Sequence, residues 1–321
     1  MPDENINENK ELLEEEQVEE KPAEEAKPYN ELIEDARQEL YKSYAKSRRI
    51  SNIIMLAVVI AICGVMFMII SNNQVLKIVG YSLAGALIVG MILYYVLTRK
   101  NLPNRVKEYV PFVVRTLNDR MFSSQNFDEI KTNPEDKLAM DDLVGDGVYA
   151  EANSINSRNV VRGAYKKHHF LYAEAALMRP VAKKQQVPPL FVGRYISIPN
   201  QMKFEGRFVI NLKNPKQPLD LPNAITDLVV LEEKDDFVVY GPENANYHDV
   251  IDNKVISQLK KLQIEGHLLN VNAVFWGGHT AIYLSYDDPI LSVPFDKPFD
   301  KDGFEKSLDD LYICLDAITE E

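Results

Sequence analysis

IIMLAVVIAICGVMFMII, residues 53–70, and LKIVGYSLAGALIVGMILYYVL, residues 76–97, decide how this chain is built. The first run carries no charge, and the second carries only Lys77, near its start. Each is about as long as the ~20 apolar residues that take a helix across a bilayer core. Backbone amides in lipid must pair within their own segment, so two such runs joined by residues 71–75 imply a helical hairpin. The competing reading is a buried core hairpin of a water-soluble protein; runs this long and this free of charge speak against it. About fifty residues precede the first run and a second run follows at once, which argues against a cleaved signal peptide.

Basic residues beside spanning segments favour the cytoplasmic side. Lys42, Lys46, Arg48 and Arg49 precede the first run, and Arg99, Lys100, Arg105 and Lys107 follow the second. The expected topology is a multi-pass protein of the plasma membrane with both termini in the cytoplasm. Ala57, Ala61 and Gly64 on the first run, and Ser82, Ala86 and Gly90 on the second, form stripes of small residues. Such faces let helix backbones approach closely in lipid, and serve either to close the hairpin or to build a homo-oligomer. No ionisable residue lies mid-span, which argues against a transporter or pump.

The formal net charge is -12, and residues 1–27 hold eleven acidic residues and three lysines, a balance of -8. This aromatic-free stretch is expected to be a disordered acidic tail. A juxtamembrane helix follows over residues 28–50, with Tyr29, Leu32, Ile33, Ala36, Leu40 and Tyr44 on one face. The spans cover residues 51–71 and 75–98. A second juxtamembrane helix covers 99–125, carries Leu102, Val106, Tyr109, Val113, Leu117 and Met121 on one face, and is disturbed at Pro111. The two either pair as a stalk or pack separately on the soluble part or the headgroups. The two cysteines, Cys63 and Cys314, show neither pairing nor metal spacing, which fits a reducing cytoplasm.

Residues 126–321 read as a cytoplasmic domain of mixed α+β class, mostly antiparallel sheet, with ample length for one core. Strand-like runs lie at 170–177, 190–198, 207–212, 228–231 and 237–240, punctuated by prolines. Tyr247, Ile251, Val255, Leu259 and Leu262 form a helical stripe. Gly277-Gly278 joins two further strands in a hairpin. The last helix is expected to start at Asp302-Gly303-Phe304-Glu305, an acidic variant of the capping box.

Several short motifs occur in a telling order. Phe170-Leu-Tyr-Ala-Glu174 ends a strand in Ala-Glu. Phe191-Val-Gly193 is followed by Asn200, Phe204-Glu-Gly206 and the apolar pair Val209-Ile210; Phe237-Val-Val-Tyr240 then precedes a polar turn, a helix and the glycine-linked hairpin. Behind two N-terminal spans, this arrangement over residues 30–318 resembles the bacterial membrane-protein family catalogued as domain of unknown function 3137. Arg194-Tyr195 departs from the apolar run expected after the glycine. The resemblance implies a two-span anchor and a cytoplasmic domain, with no established activity, cofactor or catalytic residues.

Between residues 158 and 184 the chain turns basic: Arg158, Arg162, Lys166, Lys167, Arg179, Lys183 and Lys184 face one acid, Glu174, for a local +6. Anionic headgroups attract such clusters by ~1 kcal/mol per basic residue. The cluster is a candidate contact for anionic lipid, a protein partner or the acidic tail; the plainer reading is two solvated loops flanking a strand. His168-His169 point to opposite faces of a strand, and His248, His267 and His279 lack ligand spacing, so no metal site is expected. Glu174 is expected to pair with a nearby arginine. Tyr286, Phe295 and Phe299 among Pro289, Pro294 and Pro298 are expected to line a core edge rather than dock a partner. No phosphate loop, nucleophile elbow or metal motif is present, so neither catalytic residues nor a cofactor is assigned. The expected function is a membrane-anchored binding or scaffold module with protein or anionic-lipid partners; the alternative is a tethered enzyme acting on a membrane-associated substrate. Nucleic acid is not an expected partner of a net-acidic soluble part.

Overall fold

The chain leaves residue 28 as one continuous helix, α1 (Tyr29–Ile70), which joins the amphipathic segment to the first apolar run. No proline or glycine separates them, since Arg49-Ile50-Ser51-Asn52 all tolerate helix. The computed structural model describes residues 27–99, 101–133, 136–179, 188–199, 204, 206–212, 227–262, 264, 268–286 and 295–319. The acidic tail expected over 1–27 lies almost wholly outside them. After a turn at Ser71-Asn72-Asn73, α2 (Gln74–Arg99) runs back, its start capped by Asn73, whose Oδ1 accepts from the Val75 amide at 2.9 Å. Then α3 (Asn101–Met121) carries Pro111 within it and does not end there.

Two helices are therefore long and apolar enough to cross a membrane, and only 6% of each apolar window is buried. Both apolar windows therefore lie on the surface of the chain rather than in its core. The contact between α1 and α2 differs from the expected small-residue stripes. It runs through Ile54, Val58, Ala61 and Val65 on α1, and Gly80, Ala84 and Leu87 on α2, which are buried or half-buried. A Cβ on Gly80 would lie 3.0 Å from Ile69 Cγ1, whereas Cβ atoms on Gly64 or Gly90 would meet nothing within 4 Å. Ala57, Ser82 and Ala86 likewise face outward.

Among the described residues nine strands follow: β1 (Phe127–Asn133), β2 (Ser154–Tyr165), β3 (His168–Met178), β4 (Phe191–Pro199), β5 (Arg207–Leu212), β6 (Val229–Glu233), β7 (Phe237–Gly241), β8 (Leu268–Trp276) and β9 (His279–Tyr286). Their helices are α4 (Met140–Val144), α5 (Asn253–Leu259) and α6 (Lys301–Thr319). The strands form one sheet in the order β1-β2-β3-β4-β9-β8-β5-β7-β6, every neighbouring pair antiparallel. Both faces are covered. Ile282, Leu284, Val271, Phe275 and Ile196 face α1, α3, α5 and α6, while Ala281, Tyr283, Val274 and Tyr195 face Leu138, Leu143, Val148 and Tyr149. Burial on both faces is why the central strands read as continuous apolar runs.

The first half of α1 and α3 pack on each other and on the α+β domain at once. Ile33 and Leu40 of α1 are buried with Val113 and Leu117 of α3 in the same core. The Tyr29 hydroxyl donates to Glu305 Oε1 at 2.6 Å, and its ring meets Phe299 and Phe304. Phe295 packs edge-on against Tyr44, and its carbonyl accepts from Arg37 at 3.2 Å. Phe295, Phe299 and Tyr286 thus line a core edge, as their residue types suggest.

Two local readings change, and one turn is new. The stripe from Tyr247 splits into a 3-10 turn (Tyr247–Asp249) and α5, because Asp252 caps α5 by accepting from the Lys254 amide at 2.8 Å. At α6, Asp300 rather than Asp302 does the capping, accepting from the Gly303 amide at 3.0 Å. The hairpin β2–β3 turns on Lys166-Lys167, both left-handed at φ 47° and 72°. Two-residue hairpin turns of this kind favour Asn-Gly, so nothing in the sequence announces this one.

Arg194, the departure from the apolar pattern, is 0% exposed on β4. Its guanidinium donates to the Ser307 carbonyl and, at 2.8 Å, to Ser307 Oγ, pinning α6 to the sheet centre. The rings of Tyr172 and Tyr286 flank it. Arg194→Met is expected to lower the unfolding free energy by about 3 kcal/mol, since it strands the polar groups that faced the charge. Lys167→Gly is expected to raise it by about 1 kcal/mol by relieving a left-handed side chain. Denaturant titration of the purified chain checks both.

Candidate functional site

Four of the five described members of the basic run are ion-paired. Arg158 Nε donates to Glu174 Oε2 at 2.8 Å, Arg162 pairs with Asp136 at 2.9 Å, Lys166 with Asp316 at 2.7 Å, and Arg179 with Glu151 at 3.7 Å. Three of those acids lie outside the 158–184 window, so a local charge count could not include them. Lys167 is exposed and has no ion pair among the described residues; Lys183 and Lys184 lie outside them. Arg158 and Lys166 are eight positions apart on β2 and its turn, about 26 Å along the strand direction. Glu174 is paired with an arginine as expected. The described histidines do not converge on three ligands, and no group of three metal-ligating side chains occurs among the described residues. His279 stacks on Trp276, His169 shares an open cleft of about 410 Å³ with it, and His267 lies outside the described residues.

Two polar features were missed by sequence reasoning. The first is Asp146, 5% exposed beneath an open cleft of about 360 Å³ beside Arg207 and Trp276. Its Oδ1 accepts from the Val148 amide at 2.9 Å, and its Oδ2 lies 2.7 Å from the Tyr283 hydroxyl, which also reaches the Leu143 carbonyl. The Tyr283 hydroxyl donates to Asp146, a bond that favours the ionised carboxyl and opposes part of the effect of burial. Burial pushes this carboxyl up to about 6 from 3.8. The only hint in the sequence is Gly145-Asp146-Gly147, with Gly147 left-handed at φ 78° where a Cβ would strike Arg207.

The second is a cleft of about 510 Å³ between the middle of α1 and Phe295-Asp296. Tyr41, Tyr44, Arg48, Arg49 and Asn52 line its helical wall. These positions recur at helical spacing because they share one side of α1, directly below the apolar run. The sequence made Arg48 and Arg49 legible as topology signals; the opposing wall comes from nearly 250 residues further on.

Comparison of the chain with family models, with curated proteins and with solved structures found no match in any of the three.

The Asp146 carboxyl sets a pH dependence of defined sign. The folded chain keeps a proton that the unfolded chain releases above pH 3.8, so this stabilisation is full below that pH and lost as the pH rises through about 6. Asp146→Asn abolishes the titration. Relative to the variant, the wild type is expected to lose roughly 2 kcal/mol between pH 4 and pH 7, read by thermal unfolding at each pH.

Proposed function

We propose that the chain is an integral membrane protein, a member of the family it resembles, whose two-helix hairpin holds an α+β interaction module against the cytoplasmic face of the plasma membrane. The observation that carries this reading is the continuity of α1. Its lower half belongs to the domain core through Ile33 and Leu40, and its upper half presents Ile53, Leu56, Ile60 and Phe67, between 63% and 78% exposed. Apolar surface of that extent on one helix requires a non-aqueous surrounding. The length supports it: residues 51–70 rise about 30 Å, the thickness of a bilayer core.

Both juxtamembrane helices are built into the soluble core, so the domain is held without a flexible tether. Such mounting presents one side of the domain to the headgroups and raises the effective concentration of membrane-bound partners. The basic side chains of β2–β3 are largely taken up by ion pairs, so contact with lipid falls instead to residues at the foot of the spans. The described cavities are open clefts rather than a deep pocket with converging polar groups, which favours a binding role over a catalytic one.

Cysteine accessibility in a Cys63→Ala background tests the topology. In intact bacterial cells an impermeant maleimide is expected to modify Asn72→Cys and to spare Lys301→Cys until the cells are lysed. Modification of Lys301→Cys in intact cells would sink the proposal.

A further inference from the structure

We infer that the cleft between α1 and Phe295-Asp296 is a binding site for the headgroup of a singly charged anionic phospholipid. The inference rests on reading α1 as a membrane span. Ile53 lies four positions after Arg49, a rise of about 6 Å. With residue 53 at the edge of the hydrocarbon, Arg48, Arg49 and Asn52 stand in the headgroup layer, which is several Å thick on each side of the core.

The chemistry of the wall matches a phosphodiester. Arg48 and Arg49 are exposed and have no acidic partner within ion-pair distance among the described residues. Arginines of the soluble domain at 120, 158, 162, 179 and 207 each hold an acid, as does Arg37 on the same helix. Arg115 on α3 is likewise exposed without an acid among the described residues, and buried Arg194 bonds Ser307 instead; the pair at 48 and 49 differs in lining a cleft. Guanidinium forks bind phosphate oxygens bidentately, and the charge assistance strengthens each hydrogen bond. Tyr41, Tyr44 and Phe295 supply the amphipathic rings typical of a membrane interface, and the contact of Tyr44 with Phe295 at 5.3 Å fixes the back of the cleft.

Charge also selects the lipid. Two arginines against Asp296 leave the lining at +1, which complements a headgroup of charge -1. Asp296 disfavours a second negative charge and accepts a hydroxyl, so a phosphate carrying a neutral, hydroxylated group such as glycerol fits. The volume, about 510 Å³, lies within the range of small-ligand sites. A bound headgroup bridges α1 to the segment before α6, so lipid occupancy tightens the seat of the domain on its anchor.

The test uses the full chain purified in a neutral detergent and titrated with phosphatidylglycerol, phosphatidylethanolamine, phosphatidylcholine or inorganic phosphate. Native mass spectrometry reads bound lipid, and thermal unfolding reads stabilisation. Phosphatidylglycerol is expected to bind at least about tenfold more tightly than phosphatidylcholine, and Arg48→Gln/Arg49→Gln is expected to remove that preference. The exposed pair Lys166→Gln/Lys167→Gln is expected to retain it. Circular dichroism identical to wild type establishes that the arginine variant is folded, and Arg48→Lys/Arg49→Lys is expected to retain part of the preference. Equal binding of the three lipids, or an unchanged preference in the arginine-to-glutamine variant, overturns the site while leaving the anchor intact. Equal stabilisation by inorganic phosphate overturns the lipid as its ligand. Recovery of the chain in the aqueous fraction without detergent overturns the anchor reading itself, and the site with it.

Discussion

The seat of α1 on the soluble domain is the contact on which the rest of the structure depends. Ile33 and Leu40 enter the core, Tyr29 wedges between Phe299 and Phe304 and bonds Glu305, and Phe295 closes on Tyr44. Burying each large apolar side chain contributes about 1.5–3 kcal/mol, so these few residues are enough to hold a helix in one orientation. Because α1 runs unbroken into the apolar run, fixing its lower half fixes the direction in which the hairpin leaves the domain. The cleft at Arg48 and Arg49 exists only because residues 295–296 are brought alongside by the same contact.

The sheet behind that contact is covered on both sides, and two buried polar groups hold the layers in place. Arg194 faces α6 from the centre of β4 and ties it through Ser307. Asp146 and Tyr283 do the corresponding work on the opposite face, joining the Leu143–Val148 turn to β9. Apolar packing tolerates sliding of one layer over another, whereas a buried guanidinium or carboxyl has few positions in which its hydrogen bonds are met. These groups thus specify register in a core otherwise made of interchangeable apolar residues.

Much of the fold was legible in the chain. The strands β3 to β9 coincide with apolar runs, and Gly277-Gly278 announces the β8–β9 turn. The edge strand β1 was missed because its burial is slight, and β2 because it is broken by a bulge at Asn159 and ends in a Lys-Lys turn without turn residues. The helical stripe from Tyr247 was read as one helix, since the same apolar spacing survives the interruption at Asp252. The basic run suggested a patch because Asp136, Glu151 and Asp316 are remote in sequence from the residues they neutralise.

What the sequence by itself determined is the partition of the chain: two apolar runs of bilayer length carrying a single charge, Lys77, between them, basic flanks, and an α+β body of alternating apolar segments. Those properties are local, being set by composition and periodicity within a few turns. Only the tertiary structure decided which cations are already neutralised, which face of α2 meets α1, and that Arg48 and Arg49 look across a cleft at Phe295. Each of these depends on residues brought together from distant parts of the chain, and neither charge pairing nor helix rotation is encoded in any single segment.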